Sequence, residues 1–169
     1  MTTSTAIDPQ RACAELEQLD AFGRMRWGLE QFGDGFALTT SFGIQAAVSL
    51  HLVSQLERSV PVIWVDTGYL PPETYHYAET LIDRLGLQVH VAQAVLSPAR
   101  MEALHGRLWE TGRLDDLEMY HRIRKVEPLD RALEQLQVRC WASGVRGRQT
   151  DHRSTMQPVA QVRGRWALR

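Results

Sequence analysis

Short apolar segments alternate with amphipathic stretches along this chain. Three segments rich in apolar residues have the length of short buried strands, and they are residues 36–41, 60–66 and 138–143. Residues 87–91 alternate apolar and polar positions, as a half-buried strand does. Apolar residues recur at helical spacing in four stretches, which are residues 9–33, 44–57, 73–85 and 128–136. This alternation of strands and helices predicts βαβ units and a parallel sheet.

The parallel sheet predicts where a binding site would lie. Right-handed crossovers place helices on both faces of such a sheet, and ligands then bind at the carboxyl ends of its strands. We expect an N-terminal helical segment, residues 1–33, followed by an α/β domain, residues 34–169. Ser97 and Pro98 open a further helix as an N-cap followed by proline, whereas residues 106–127 are polar and weakly patterned. Residues 162–169 look like a β-turn that enters a new strand, so we expect the protein to continue past Arg169.

Composition excludes several classes of protein. With 44% hydrophobic and 23% charged residues among 169, the chain is expected to fold as a soluble globular domain. Its apolar runs are too short to cross a bilayer, and the segment after Met1 lacks the basic and apolar regions of a secretory signal. The two cysteines, Cys13 and Cys140, lie far apart, which argues against a disulfide framework and suits a reducing cytosol. We therefore expect a cytoplasmic protein without membrane contact.

Charge is distributed unevenly along the chain. Residues 1–112 hold 7 basic and 13 acidic residues, whereas residues 113–169 hold 12 basic and 7 acidic ones. After Cys140 six arginines accompany a single acidic residue, Asp151. The net charge of the whole chain is only −1, so this local excess of arginine favours an anion site over a nucleic-acid surface. A solvated basic tail is the alternative interpretation.

Two predicted strand ends carry groups that suit an anion or a nucleotide. Residues 39–45, Thr-Thr-Ser-Phe-Gly-Ile-Gln, join a strand to a helix and offer hydroxyls, a glycine and a helix N-terminus. Many α/β proteins turn in this way for packing alone. At the end of the next strand Asp66 precedes Gly68, and its carboxylate either accepts hydrogen bonds from a base or ribose or caps the next turn.

Basic residues follow two later segments. Residues 144–153, Gly-Val-Arg-Gly-Arg-Gln-Thr-Asp-His-Arg, come directly after the strand 138–143. Arginines placed there can bind phosphate or sulfate in bidentate fashion, and the two glycines let the backbone approach a ligand closely. Lys125, in the segment Arg124–Leu129, adds a point charge. Solvent exposure is the rival explanation for each side chain taken alone. The six histidines form no HxxxH or HxH pair, so we expect no metal site.

Together these segments resemble the phosphoadenylyl-sulfate (PAPS) reductase family over residues 33–165. The motifs that carry the resemblance are Ser41-Phe-Gly-Ile-Gln-Ala-Ala47, Trp64-Val-Asp-Thr-Gly-Tyr-Leu-Pro-Pro-Glu-Thr74, Gly106-Arg-Leu-Trp109, Lys125-Val-Glu-Pro128, and Gly144-Val-Arg146 with Gln149 and Arg153. The resemblance implies a parallel five-stranded sheet with helices on both faces, of the adenine-nucleotide α-hydrolase type with a modified pyrophosphatase loop.

The resemblance also implies a substrate and its contacts. The family reduces 3′-phosphoadenylyl sulfate (PAPS) to sulfite and adenosine 3′,5′-bisphosphate in sulfate assimilation, with thioredoxin or glutaredoxin as electron donor. The loop at residues 40–45 would lie near the phosphosulfate and Asp66 near the adenosine. The substrate-binding residues expected are Thr40, Ser41, Phe42, Gly43, Gln45, Asp66, Gly68, Lys125, Arg146 and Arg153. As partners we expect the nucleotide, thioredoxin and a second copy of the chain in a homodimer, but no nucleic acid.

The chain departs from the family pattern in ways that affect its chemistry. The family's nucleophile is a cysteine in a C-terminal Glu-Cys-Gly-Leu-His segment, which this sequence lacks, and neither Cys13 nor Cys140 matches it. We therefore expect no catalytic residue within these residues and regard the catalytic tail as missing. Tyr120-His121 stand where iron–sulfur members have paired cysteines, which indicates the cluster-free type without a cofactor. Gly147 and Arg148 replace the usual Arg-Glu. An adenylyl-sulfate reductase and a non-catalytic nucleotide-binding module remain alternatives.

Overall fold

The computed structural model describes residues 7–56, 59–144 and 157–169. Within these ranges the helices are α1 (Pro9–Glu17), α2 (Ala21–Phe32), α3 (Ala46–Ser54), α4 (Pro72–Leu85), α5 (Pro98–His105), α6 (Leu114–His121) and α7 (Glu127–Gln135). The strands are β1 (Phe36–Thr40), β2 (Val62–Asp66), β3 (Val89–Gln93), β4 (Cys140–Ser143), β5 (Val159–Val162) and β6 (Arg165–Leu168). A 3-10 turn (Gly33–Gly35) precedes β1, and a π-helical turn (Arg122–Val126) joins α6 to α7. None of these helices has the length and apolar content needed to cross a membrane.

The strands form one sheet in the order β3-β2-β1-β4-β6-β5. Neighbours from β3 to β6 pair in parallel, so the predicted parallel sheet of five strands is confirmed. The sheet has a sixth strand as well, because β5 pairs antiparallel with β6 at one edge. The turn between them contains Arg163 and Gly164, both with positive φ (52° and 74°). Two such residues suit the tight hairpin turns whose twist matches that of the strands.

Alternate residues of the central strands face two separate cores. Phe36 and Leu38 of β1 belong to the core that includes residues of α1, α2, α3 and α4. Ala37, between them, packs with Ala132 and Leu133 of α7 on the other side. Helices therefore cover both faces of the sheet, as the sequence predicts. Because successive strand side chains point to opposite faces, each strand contributes to both cores.

The N-terminal helical stretch differs from the prediction in one respect. Residues 9–33 form two helices, not one, because α1 ends at Glu17 and Asp20 caps α2. The Asp20 carboxylate accepts from the Gly23 amide at 2.7 Å. Leu16 of α1 and Met25 of α2 are buried in the same core as Phe36. Arg24 joins these helices to β6, since its guanidinium donates to the carbonyls of Leu16, Leu19 and Arg169.

The π turn changes the phase of the long helical stretch from α6 to α7. The Glu127 amide donates to the carbonyl of Arg122, five residues earlier, and this spacing defines a π turn. Pro128 lacks an amide hydrogen and would crowd the carbonyl of Arg124 in a regular helix, so a wider turn at this place relieves both problems. Within this turn Arg124 is buried while Lys125, the next residue, is exposed.

Candidate functional site

A cleft of about 920 Å³ opens at the carboxyl ends of β1, β2 and β4, the edge at which the sequence predicts a site. It is lined mainly by the loop after β1 with the start of α3, the loop after β2, the end of α6, the π turn and the end of β4. Their main contributions are Thr39, Thr40, Ser41, Gly43, Ile44, Gln45, Ala46, Thr67, Tyr69, Tyr120, Lys125, Ser143 and Gly144. Arg163, on the turn before β6, also borders the cleft and pairs with Asp130 at 3.1 Å.

The loop after β1 is anchored to the core by Phe42. This residue has a left-handed backbone (φ 50°) and its ring is only 1% exposed, with its centroid 4.8 Å from that of Trp64. The Phe42 amide donates to the Thr40 hydroxyl at 3.0 Å. Phe42 therefore holds the loop in place, while its neighbours Ser41 and Gly43 are exposed and line the cleft.

The polar side chains of this loop that line the cleft have no hydrogen-bond partner among the described residues. No hydrogen bond joins the side chain of Ser41 or Gln45 to any of them, and Lys125 across the cleft forms no ion pair with them. The first turn of α3 has no side-chain cap, although Gln45 occupies the N-cap position. The Ala46 amide donates to the Gly43 carbonyl, and the amides that follow it, with the positive end of the helix dipole, suit an anion at this place.

The loop after β2 is held together by internal hydrogen bonds. The buried carboxylate of Asp66 accepts from the Gly68 amide and the Tyr75 hydroxyl on one oxygen and from the Gln93 side chain on the other, each at 2.8 Å. Burial, and next this hydrogen bond to Asp66, raise the pKa of Tyr75. Asp66 thus caps the turn, and it is Thr67 and Tyr69, not Asp66 or Gly68, that line the cleft.

Arg124 fastens the same loop from the side of the π turn. Its Nε donates to the Thr67 carbonyl at 2.7 Å, and its Nη1 donates to the Leu96 carbonyl at 2.6 Å. Gly68 permits this approach, since a Cβ atom there would lie 2.6 Å from Nη2 of Arg124 and 2.7 Å from Cγ of Pro98. Gly68 also has φ 75°, a conformation that side-chain-bearing residues rarely adopt.

Three aromatic rings stand at one end of the cleft. The centroid of Tyr69 is 4.7 Å from that of Trp109 and 6.1 Å from that of Tyr120. The Tyr69 hydroxyl donates to a Glu102 carboxylate oxygen at 3.0 Å. Burial, together with this hydrogen bond to Glu102, raises the pKa of Tyr69 to about 12. The hydroxyl of Tyr69 therefore stays protonated at neutral pH and serves the local structure.

Neither cysteine lines the cleft. Cys140 is fully buried in β4, and burial raises the pKa of its thiol well above the usual range. Cys13 lies in α1, where its Sγ donates to the Val159 carbonyl at 3.4 Å. The described residues also contain no group of three or more His, Cys, Asp or Glu side chains arranged to hold a metal ion.

The residues expected to bind substrate fall into three groups. Those that meet at the cleft are Thr40, Ser41, Gly43, Gln45 and Lys125. Those that lie beneath it, and shape its loops, are Phe42, Asp66 and Gly68. Arg146 and Arg153 lie outside the described residues. All ten remain predictions as substrate contacts.

Sequence reasoning missed several residues of the cleft wall. These are Thr67, Tyr69, Tyr120, Ser143 and Arg163. Tyr69 and Thr67 flank the conspicuous Gly68, so position alone could have indicated them. Arg163 depends on β5, a strand that the apolar pattern did not reveal.

Several known proteins are similar to this chain in sequence. Residues 35–167 match the family model described as phosphoadenosine phosphosulfate reductase domain. A phosphoadenosine 5′-phosphosulfate reductase of Synechococcus is 51% identical over 156 residues, covering 92% of this chain and 67% of that protein. One from Klebsiella pneumoniae is 48% identical over 151 residues, covering 89% of this chain and 62% of that protein. The chain thus spans about two thirds of the length of these relatives.

A solved structure supports the fold. The PAPS reductase of Candida auris, crystallised as a phosphate complex, superposes with a TM-score of 0.77 over 97% of this chain and 79% of that chain. The two sequences are 24% identical, so this likeness concerns the fold alone. It confirms the α/β architecture expected from the sequence.

Proposed function

The chain belongs to the phosphoadenosine phosphosulfate reductase domain family, and on that premise we propose that its cleft binds PAPS. The observation that carries the proposal is the set of polar groups that face the cleft without a partner among the described residues. They are the Ser41 hydroxyl, the Gln45 amide and the Lys125 ammonium, beside the uncapped start of α3. A ligand with a sulfate and two phosphates supplies the acceptors and the negative charge that this set requires.

We assign the parts of the nucleotide by the chemistry of each wall. The loop at residues 40–45 and the start of α3 offer hydroxyls and amides, which suit the phosphosulfate. Lys125 adds a cation from the opposite wall. Arg146 and Arg153, placed by sequence directly after β4, supply further charge for the sulfate and phosphates.

Reduction of PAPS would take place in two steps. A cysteine thiolate attacks the sulfur of the phosphosulfate, the sulfur–oxygen bond to the nucleotide breaks, and adenosine 3′,5′-bisphosphate leaves with the electron pair. Thioredoxin, a dithiol, then attacks the resulting S-sulfocysteine. Sulfite departs, the enzyme cysteine is restored, and thioredoxin is oxidised to its disulfide. The cations of the cleft favour the first step by stabilising the leaving phosphate.

These steps require a thiolate that neither cysteine of this chain provides. Cys140 is buried with a raised pKa, and Cys13 lies in α1, away from the cleft wall. We therefore propose that the 169-residue chain binds adenosine 3′,5′-bisphosphate but releases no sulfite when thioredoxin is present. Sulfite release that is abolished by replacing Cys13 or Cys140 would overturn this assignment. We also propose a homodimer that holds no iron–sulfur cluster.

Calorimetric titration tests the substrate. Adenosine 3′,5′-bisphosphate should bind at least tenfold more tightly than adenosine 5′-monophosphate, because the 3′-phosphate gains a cationic partner. Equal affinity for the two would instead favour an adenylyl-sulfate reductase. Absence of binding to either nucleotide would contradict the proposed function.

Replacement of single cations tests the site. Lys125→Ala, Arg146→Ala and Arg153→Ala should each weaken binding of adenosine 3′,5′-bisphosphate tenfold to a hundredfold, since a charge-assisted bond contributes about 1.5–3 kcal/mol. Arg11→Ala is the control, because Arg11 is an exposed residue of α1 outside the cleft wall. Wild-type affinity in all three variants would mean that these side chains are only solvated.

A further inference from the structure

Arg124 is a buried cation that the substrate contacts proposed above do not include. Only 2% of the residue is exposed, and its guanidinium donates to two backbone carbonyls, those of Thr67 and Leu96. Thr67 follows β2 and Leu96 follows β3, so one side chain joins the loops of two neighbouring strands. The ring of Tyr69 lies 5.3 Å from the guanidinium carbon and completes its surroundings.

The charge of Arg124 has no carboxylate partner in the described part of the chain. The ion pairs found there involve Arg26, Arg107, Arg113, Arg122 and Arg163. Asp66, in the loop that Arg124 holds, directs its oxygens to Gly68, Tyr75 and Gln93 instead. Arginine keeps its charge when buried, and carbonyl oxygens and an aromatic face solvate that charge only in part.

The neighbours of Arg124 are themselves residues of the cleft wall. Thr67 and Tyr69 line the cleft, and Lys125 follows Arg124 directly in the π turn. In this turn Arg124 is buried and Lys125 is exposed at the cleft. Short π-helical turns of this kind occur frequently at functional sites. The position of Lys125 and that of the loop after β2 are therefore fixed by the same buried guanidinium.

We propose that Arg124 is a positioning residue of the nucleotide site, which locks the loop after β2 to the turn that carries Lys125 and leaves its own charge to be balanced by the bound anion. The proposal rests on the proposed function, because it takes the ligand to be an anionic nucleotide. It assigns Arg124 no contact with the ligand. Gly68 has a corresponding role, since its missing side chain admits the guanidinium.

The test compares Arg124 with an arginine elsewhere that makes similar contacts but is exposed. Arg139 also donates to a backbone carbonyl, that of Phe32 at 2.7 Å, and its guanidinium also lies over an aromatic ring, 5.8 Å from the Phe32 centroid. It stands just before β4, at the opposite edge of the sheet from the cleft. The variants are Arg124→Met and Arg124→Lys, with Arg139→Met and Arg139→Lys as controls.

Three measurements separate positioning from packing. Binding of adenosine 3′,5′-bisphosphate should weaken at least tenfold in Arg124→Met and remain unchanged in Arg139→Met, at a temperature where melting curves show both to be folded. Amide exchange of Gly68 and Tyr69, which donate to Asp66 and Thr67 side chains, should accelerate only in the Arg124 variants. Arg124→Lys keeps the positive charge, so binding should retain the wild-type dependence on salt. Because an ammonium cannot donate to both carbonyls as the planar guanidinium does, the amides of Gly68 and Tyr69 should still exchange faster than in wild type.

The outcomes are distinct. Wild-type affinity and exchange in Arg124→Met would make Arg124 a packing residue and overturn the proposal. If Arg124→Met does not fold, the same result in Arg124→Lys decides against it. Failure of the wild-type chain to bind the nucleotide would contradict the proposed function. In that case unchanged exchange at Gly68 and Tyr69 in the Arg124 variants would still refute the positioning role by itself.

Discussion

The loops that follow β1 and β2 begin alike and end as different structures. Each leaves a buried strand at the same edge of the sheet and contains polar residues and a glycine. In the first loop Ser41, Gly43 and Gln45 are exposed at the cleft. In the second, Asp66 and Thr67 are buried and take part in six hydrogen bonds that involve side chains.

The two glycines show the same contrast. A Cβ atom at Gly43 would meet only the Ser41 hydroxyl, at 3.9 Å, and would otherwise project into open space. A Cβ atom at Gly68 would collide with Arg124 and Pro98. The first glycine therefore leaves room for a ligand, whereas the second leaves room for the protein.

The two loops thus differ in whether their polar side chains already have hydrogen-bond partners within the protein, and this difference distinguishes a binding loop from a supporting one. A polar side chain whose bonds are all made within the fold stabilises the fold, and its removal should be seen first in unfolding. A polar side chain left without a partner at a cleft is available to a ligand, and its removal should be seen first in binding.

Asp66→Ala should have the largest effect on stability. It leaves the Tyr75 hydroxyl, the Gln93 amide and the Gly68 amide without their acceptor, and we expect the free energy of unfolding to fall by about 3 kcal/mol. Ser41→Ala in the first loop should change it by less than about 0.5 kcal/mol. Urea unfolding of both variants checks this. A stable Asp66→Ala protein that has lost nucleotide binding would make Asp66 a ligand contact and break the contrast.

Alanine at the two glycines should separate stability from binding. Gly68→Ala should lower the free energy of unfolding by about 2 kcal/mol, since it combines a positive φ with a collision. Gly43→Ala should change stability little but weaken binding of adenosine 3′,5′-bisphosphate about tenfold, by placing a methyl group where the ligand lies. Unfolding curves and calorimetry on the same samples give both quantities. Loss of stability in Gly43→Ala, with binding intact, would reverse the roles of the loops.

The fold could be predicted from sequence because its signals are local. β1 and β2 are apolar runs of strand length, and burial on both faces is what makes them so. β5 gave a weaker signal, since Val159–Val162 is short and follows the arginine-rich segment. The turn at Arg163-Gly164 was the feature that could have indicated β5. A turn of this kind, with two positive φ values, joins two strands of a hairpin, so a strand must precede it as well as follow it.

Which residues of the site face the ligand and which support its loops could not be predicted in the same way. Asp66 and Ser41 look equally suited to a ligand in the sequence, and only the positions of Tyr75 and Gln93 show that one of them is already bonded. Arg124 and Lys125 are adjacent basic residues, and only the positions of the Thr67 and Leu96 carbonyls show which of them is buried. Long-range contacts decide these roles, and they become visible only in three dimensions.

Two tyrosines of α4 allow a smaller test of the contrast. Tyr75 donates to Asp66 in the second loop, whereas the Tyr77 hydroxyl donates to the Ile44 carbonyl in the first loop at 3.4 Å. Tyr75→Phe should lower the free energy of unfolding by about 1–1.5 kcal/mol, the upper part of the range for a typical hydrogen bond. Tyr77→Phe should change it by less than about 0.5 kcal/mol, because its bond is long and exposed. Equal losses in urea unfolding would show that the second loop is not the more strongly bonded.

Alkaline pH should act on the second loop alone, with the smallest effect. The first loop, residues 41–45, contains no ionisable side chain, whereas Tyr69 in the second has a pKa raised to about 12 by burial and by Glu102. Because an unfolded tyrosine loses its proton at about pH 10, the contribution of Tyr69 is present below pH 10 and is lost as pH rises towards 12. Tyr69→Phe should therefore show a shallower fall in stability above pH 10 than wild type, and Ser41→Ala should keep the wild-type slope. An alkaline slope in Tyr69→Phe identical to that of wild type would mean that ionisation of Tyr69 does not affect the free energy of unfolding.

Glu102→Gln tests the cause of the raised pKa of Tyr69. It removes the negative charge beside the phenol, so tyrosinate absorbance should appear at lower pH.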